Sequence, residues 1–282
     1  MPQSDRSPCD WLRSFLNRHT GNGRLERSDA GIEARLRDLL RDRGLPSLAA
    51  LVKQLQAEPQ RGAAHCGPLG EAVIAALMNH ETSFFRDTSC FAALEHHVLP
   101  QLIARRAASR RLSIWSAACS TGQEPHSLAI LLGEAFPLEA ATWRIDIVAT
   151  DVSPAAVART AEARYSTLEI RRGLSDARRV AAFTPDRQRW GLHPKIAARV
   201  TPVVHNLLDP PRDLVAGPFD LVLLRNVLIY LSPEARLQVL EHVASVLRSD
   251  GYLILGAPES LLDVPMFTRD VFGSLRAYRK AR

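Results

Sequence analysis

Residues 112–126 read LSIWSAACSTGQEPH, and the reading of this stretch decides the fold. Leu112–Ala118 is a short apolar run of strand length. From Glu124 the pattern turns helical and runs on as EPHSLAILLGEAF to residue 136. Between strand and helix lie small residues and Gly122, which let the backbone approach a ligand closely. The junction is neither GxGxxG nor GxxxxGK(S/T), which disfavours a phosphate cradle. Glu124 at the helix start would repel a pyrophosphate and suits a ligand bearing an ammonium or sulfonium group.

Toward the C-terminus the alternation repeats. RIDIVATD (144–151) reads as a strand, and SPAAVARTAEARY (153–165) as a helix with Ser153 at the N-cap and Pro154 at the first helical position. ARVTPVVHNL (198–207), FDLVLLRN (219–226) and GYLILGAPES (251–260) read as further strands, with the helix PEARLQVLEHVASVLR (233–248) before the last of these. SLRAYRK (274–280) closes the series as a strand at or near the sheet edge. This spacing predicts an α/β fold built on a doubly wound, mostly parallel sheet. One stretch breaks the rhythm: residues 168–199 exceed a crossover helix, and TPDRQRWGLHPK (184–195) is rich enough in turn formers for a small inserted hairpin.

Toward the N-terminus the chain is helical. In GIEARLRDLLRDRG (31–44), Ile32, Leu36, Leu39 and Leu40 share a face, and Gly44 stops the helix. Pro46-Ser47 opens LAALVKQLQ, and EPQRGAAHCGPLG (58–70) separates this pair from EAVIAALMNH (71–80). The expected organisation is a small helical domain over residues 1–86 and a sheet domain over 87–282.

The formal net charge is +6, and its location is informative. Arg159 to Arg199 holds ten Lys/Arg against four Asp/Glu, a surplus of six equal to that of the whole chain. A basic segment beside a site favours an acidic partner. Its aromatic content, mainly Trp190, is poor for stacking bases, so no nucleic-acid partner is expected. No apolar run reaches the ~18 residues of a membrane span. The start, MPQSDRSPCDWLRSF, lacks an apolar core with a cleavage site. Cytoplasmic location without membrane insertion is the expectation. Cys9, Cys66, Cys90 and Cys119 have no metal-ligand spacing, so neither a disulfide nor a metal site is expected.

In open α/β sheets ligands bind beyond the carboxyl ends of the strands, so the residues there carry the chemistry. Asp151 ends the second strand, where a ribose diol is bound in such folds. Asn206 and Asn226 end two later strands and offer neutral amides to an adenine or ribose edge. Ahead of the sheet domain, Asn79-His80-Glu81-Thr82-Ser83-Phe84-Phe85-Arg86-Asp87 places polar groups and an arginine around an aromatic pair. At least one of the two phenylalanines is expected in the core.

With these strings in hand, the chain resembles the chemotaxis-receptor glutamate O-methyltransferases, the CheR family. The resemblance runs from the helical domain to GYLILGAPES and rests on HETSFFRD, IWSAACSTGQEP, ATDVS, HNLL and FDLVLLRNVLIYL. It implies a class I methyltransferase domain using S-adenosylmethionine and yielding S-adenosylhomocysteine, a helical domain before it, and an inserted β-subdomain. It also implies a cofactor site of His80, Thr82, Arg86, Gly122, Glu124, Asp151, Asn206, Leu207, Asn226 and Val227. Within that site Glu124 would hold the methionine amino group and Asp151 the ribose, while Arg86 and Tyr230 would stand near the reacting methyl. The partner it implies is the cytoplasmic helical bundle of a methyl-accepting chemoreceptor; separately, nothing in the sequence suggests a permanent dimer, and a monomer is the expectation. Three positions depart from the usual pattern. His80 stands where Asn is common, Gly122–His126 reads GQEPH for GEEPY, and Leu224 replaces a common Cys. Two other readings stay open at this point: a non-catalytic scaffold that binds the cofactor, and a methyltransferase acting on RNA or a small molecule.

Overall fold

A computed structural model describes residues 7–24, 28–58, 66–214, 217–261, 264–272 and 275–281. Residues 59–65 of the expected linker and Ser274 of the last expected strand lie outside the described residues. Four helices come first: α1 (Pro8–Thr20), α2 (Asp29–Asp42), α3 (Leu48–Ala57) and α4 (Pro68–Leu77). Ser7, Ser28 and Ser47 start the first three, each side chain accepting a backbone N–H of its first turn. Gly21, at φ 72°, ends α1 in the left-handed conformation. Leu12, Leu16, Ile32, Leu36, Leu51 and Val73 meet in one apolar cluster, so the stripe read on α2 faces its neighbours.

After the 79–87 string the chain re-enters a helix that the sequence reading did not single out. It runs as α5 (Thr88–Ala93), a wide π segment (Leu94–Val98) and α6 (Leu99–Arg106). Pro100 has no N–H to donate back along the helix, and the turn widens just before it.

The sheet domain follows as β1 (Arg111–Ala117), α7 (Gln123–Ala135), α8 (Pro137–Thr142), β2 (Arg144–Asp151) and α9 (Pro154–Glu162). The insertion holds β3 (Arg164–Ser166), α10 (Thr167–Arg171), α11 (Asp176–Ala182), β4 (Phe183–Asp186), β5 (Arg189–Leu192) and α12 (Pro194–Ala197). The chain then completes the main sheet with β6 (Val200–Val204), β7 (Phe219–Leu224), α13 (Pro233–Val246), β8 (Leu247–Leu255), β9 (Phe267–Phe272) and β10 (Leu275–Lys280). The strand order is β6-β2-β1-β7-β8-β10-β9, parallel through β8 and antiparallel for the last two. The fold is thus the doubly wound, mostly parallel α/β sheet that the sequence implies. A separate antiparallel sheet, β3-β5-β4, forms the insertion.

Both faces of the main sheet are covered. Along β1, Leu112 and Ile114 point into one apolar cluster while Trp115 and Ala117 point into the other, the alternation that a strand imposes. Helix α13 covers the second face with Val239, Leu240 and Val243.

Several boundaries differ from expectation. The helix expected over 153–165 stops at Glu162, because Ala163 turns left-handed and Arg164–Ser166 pairs with β5. The inserted sheet therefore begins before residue 168. Helix α13 gives way to strand at Leu247, two residues early, since Leu247 is already paired with Phe219 of β7. β10, by contrast, lies near the edge as expected, one strand in from it. The edge is β9, FTRDVF, in which Phe267 is buried against one apolar cluster and Phe272 packs against the other, while Thr268, Arg269 and Val271 are exposed.

Candidate active site

The carboxyl ends of β1, β2, β6 and β7 open on one side of the sheet, at the switch point where β1 is flanked by β2 and β7. A cleft lies there. It is lined by His80, Thr82, Arg86, Glu124, Asp151, Asn226, Val227 and Tyr230 from the expected set. An adjoining lobe is lined by Asn206 and Leu207 and shares Asp151, Val227 and Tyr230 with the first. Val152 and Leu231 make this second lobe more apolar. Ten of the eleven expected residues therefore come together.

Gly122 is the eleventh, and it lines neither lobe. It turns the chain from β1 into α7 at φ 93°, and a Cβ there would stand 2.8 Å from Thr160 Cγ2 and 2.9 Å from the Tyr165 hydroxyl. Gly122 shapes the loop from behind rather than from within the cleft.

Each functional group is held by its own neighbours. Asp151 is buried, its two oxygens accepting the backbone N–H of Ser120 (2.9 Å) and of Ser153 (3.0 Å). Burial pushes its carboxyl up, against these hydrogen bonds and the nearby His80 ring. His80 Nε2 lies 3.1 Å from the Ala75 carbonyl, and the His80 carbonyl accepts from Ser120 Oγ at 2.9 Å. Ser120 thus ties the string to the β1 loop. Arg86 Nη1 donates to the Glu81 carbonyl (3.0 Å), and Tyr230 Oη accepts from Asn79 Nδ2 (3.0 Å). Phe84 and Phe85 are both buried in the sheet domain's core and anchor the string between Thr82 and Arg86. Asn206 donates from its amide to the carbonyl of His19 on α1.

Glu124 is not left bare. Its Oε1 accepts from Ser116 Oγ (2.7 Å), and its Oε2 accepts from Arg225 Nη1 at 2.9 Å. Arg225 also donates to Asp87 Oδ2 and to the Arg86 carbonyl, both at 2.7 Å. Its side chain is 1% exposed. Burial opposes its charge, but Glu124 and Asp87 more than offset this and raise its pKa. Sequence reading passed over Arg225, although the LRN of the family string contains it. It also passed over Glu259, a buried carboxylate that accepts the backbone N–H of Asn226 (2.7 Å) and Gly256 (2.8 Å). This clamp holds Asn226 in its left-handed turn at φ 59°. Two buried nitrogens on lining residues, Arg225 Nε and His205 Nε2, have no partner among the described residues. The donor set of carboxylates, amides and spare N–H groups fits a zwitterionic nucleoside.

Behind the β1 loop, His126 Nδ1 sits 2.6 Å from the hydroxyl of Tyr165, which donates to the Thr121 carbonyl at 3.1 Å. Burial holds His126 down to about 4. A histidine depressed in the folded state takes up its proton on unfolding, so stability is complete above ~6.5 and is lost as pH falls from there toward 4. The loss is on the order of 3 kcal/mol. Thermal melts between pH 7.5 and 4.5 should therefore lose this much less in His126→Gln than in the unaltered chain. Equal slopes would show that His126 does not titrate between the two states.

A parallel switch-point sheet with an acid after β2, an acid at the first turn of α7 and a cleft between them defines a class I S-adenosylmethionine-dependent methyltransferase. The chain belongs to the CheR methyltransferase family: the family model "CheR methyltransferase, SAM binding domain" matches residues 80–274. It is similar to chemotaxis protein methyltransferase Cher2 of Pseudomonas putida, at 38% identity over 257 residues and 90% of each chain. It is also similar to chemotaxis protein methyltransferase 1 of Pseudomonas aeruginosa, at 40% identity over 237 residues and 83% of each. Among solved structures, magnesium protoporphyrin IX methyltransferase of Synechocystis with bound SAM overlaps 72% of this chain and 87% of its own, at 19% identity and TM-score 0.37. The chain is a methyltransferase of chemotaxis that uses S-adenosylmethionine. None of its described helices is long and apolar enough to cross a membrane.

Proposed function

We propose that the chain methylates glutamate side chains of a methyl-accepting chemoreceptor, giving glutamate methyl esters. The observation that carries this reading is the sorting of charge in the cleft. Glu124 and Asp151 lie inside, where the cofactor's ammonium and ribose belong, while Arg86 stands with Tyr230 toward the string, where an anionic acceptor is met. Curated relatives named as chemotaxis methyltransferases support the same reading.

In this reading Glu124, fixed by Ser116 and Arg225, receives the amino group of the cofactor, and Asp151 receives the ribose hydroxyls. Asn206 and Leu207 line the adenine end, with Asn226 and Val227 along the adenosine. Thr82 and His80 close the side formed by the string. When bound, the cofactor supplies an electrophilic methyl on a sulfonium. A carboxylate oxygen of the acceptor bonds to that carbon as the sulfur–carbon bond breaks and its electron pair stays on sulfur. A glutamate with an ordinary pKa of ~4.3 is already ionised at neutral pH, so no base has to take a proton. What remains for the protein is alignment, which contributes up to ~7–11 kcal/mol in favourable cases. Arg86 orients the acceptor carboxylate, and Tyr230 lines the path of transfer.

In this reading residues 1–86 form a receptor-facing helical unit that also lends the 79–86 string to the site, and 87–282 carry the rest of the catalytic unit. The basic groups between Arg159 and Arg199, with Arg35, Arg37, Arg41 and Arg43 on and after α2, are the candidate contacts with the acidic bundle. The enzyme works as a cytoplasmic monomer.

The test is transfer of labelled methyl from S-adenosylmethionine to a receptor cytoplasmic fragment, scored as base-labile ester. Arg86→Ala is expected to lower kcat/KM by about 10²-fold, and Tyr230→Phe by about tenfold. Label that resists base would overturn the ester reading. Unchanged turnover in both variants would remove these two residues from the transfer step.

A further inference from the structure

Three carboxylates line the cleft, and they are not equivalent. Glu124 and Asp151 lie within it, whereas Glu81 stands at the rim with 54% of its side chain exposed. Glu81 Oε1 accepts from Arg172 Nη2 at 2.6 Å, and Arg172 is itself 59% exposed. The partners lie 91 positions apart in the chain, one on the string before the sheet and one on the insertion.

Gly173 makes the meeting possible. At φ 99° its Cβ, were there one, would lie 1.8 Å from the Phe84 carbonyl oxygen, so the insertion's backbone rests directly on the backbone of the string. Arg172 is thereby delivered to Glu81, whose backbone carbonyl is held by Arg86. Arg172, by its hydrogen bond and its charge, and Arg86, by its charge, hold the Glu81 carboxyl below the ordinary range. It stays ionised at neutral pH.

An acceptor carboxylate that reaches for Arg86 therefore meets a rim of two cations and one anion. We propose that Arg172 is a second acceptor-binding cation, occupied by Glu81 when no substrate is present, so that the Glu81–Arg172 pair selects for anionic acceptors. Exposed ion pairs of this kind are weak. An incoming carboxylate can take Glu81's place on Arg172 at little cost, while an uncharged acceptor gains nothing by displacing it. Glu81 acts as an internal stand-in for the substrate. This inference rests on the proposed carboxylate acceptor.

The pair can be taken apart from either side, and the two sides make opposite demands. In the full chain with a receptor cytoplasmic fragment, Glu81→Gln removes the competing anion and is expected to lower KM for the receptor by about three- to fivefold. Arg172→Gln removes the receiving cation and should raise KM by a similar factor. Both effects should shrink at ~1 M salt, where screening shortens to ~3 Å. A clasp that only braces the insertion against the string would be broken equally by either substitution, so KM changes in the same direction would overturn the proposal. So would a change in S-adenosylhomocysteine affinity as large as the change in KM. If the unaltered enzyme forms no glutamyl ester, the acceptor reading falls and this inference falls with it. If the ester forms but the two shifts are not opposed, only the inference is lost.

Discussion

Asp151→Ala is expected to weaken binding of S-adenosylmethionine and S-adenosylhomocysteine by at least about 10²-fold, measured by calorimetry. Hydrogen bonds to a charged group contribute ~1.5–3 kcal/mol each, and a ribose diol presents two. The site leaves few substitutes, because among the described residues Asp151 is the carboxylate that lines both lobes. The variant also strips an acceptor from the N–H groups of Ser120 and Ser153, so part of any loss comes from the loop. Asp151→Asn separates the two contributions: its carbonyl oxygen still accepts from one backbone N–H, but it offers a diol no charge. Asparagine close to alanine in affinity would assign the effect to the carboxylate. Asparagine close to the unaltered chain would assign it to the loop. Burial raises the Asp151 carboxyl, so cofactor affinity should begin to fall on acidification above the pH at which an ordinary aspartate protonates. Wild-type affinity in both lobes surviving the loss of Asp151 would displace the cofactor from this cleft.

The second large effect is expected at a residue that the sequence reading did not choose. Arg225→Met should unfold the protein at a temperature lower by about 5–15 °C and abolish methyl transfer. Removing one member of a buried ion pair leaves the other uncompensated, at ~3–5 kcal/mol. Here two partners, Glu124 and Asp87, lose their cation together, along with the Arg86 carbonyl. In a chain of this size ~1 kcal/mol moves the midpoint by ~2–4 °C. Arg225→Lys keeps the charge without the planar fork, and should recover part of the stability but little activity, since one ammonium cannot span Glu124, Asp87 and the carbonyl. A melting temperature within a degree or two of the parent for Arg225→Met would mean that Glu124 and Asp87 find water instead.

The contrast between these two residues shows what was legible in the sequence. Asp151 announces itself: an apolar run ends on an acid and a capped helix follows, so its place at a strand end can be read from ten consecutive residues. The same holds for Asn206, Asn226 and Glu124, each marked by the end of a run or the start of a helix. Arg225 sits in the same string as Asn226 but reads as one charge after four apolar residues. Its partners are 101 and 138 positions away, and nothing local marks them. Glu259 is similar: its carboxylate serves backbone N–H groups up to 33 residues upstream, which leave no trace in side-chain pattern.

The misread elements have local causes too. β9 was passed over because its middle, Thr268, Arg269 and Asp270, is a polar run at the sheet edge that gives no period-two signal. The first strand of the insertion is only three residues, Arg164–Ser166, too short for periodicity to register. Gly122 was read as making room for a ligand, whereas it makes room for Thr160 and Tyr165. A glycine in sequence says that something comes close, and only the fold says what.

The loop after α1 carries a consequence for how such a protein can be taken apart. Gly23 donates its N–H to the Tyr230 carbonyl at 2.9 Å, Ser232 donates to the Gly21 carbonyl at 2.8 Å, and Asn22 lines both lobes of the cleft. Two turns of the chain more than two hundred residues apart are thus stitched across the segment that follows Tyr230. The sheet domain is therefore not a cassette that could be excised at residue 80 and grafted elsewhere. Its seam with the helices runs along the rim of its own binding cleft, and a cut made there would take away part of the wall.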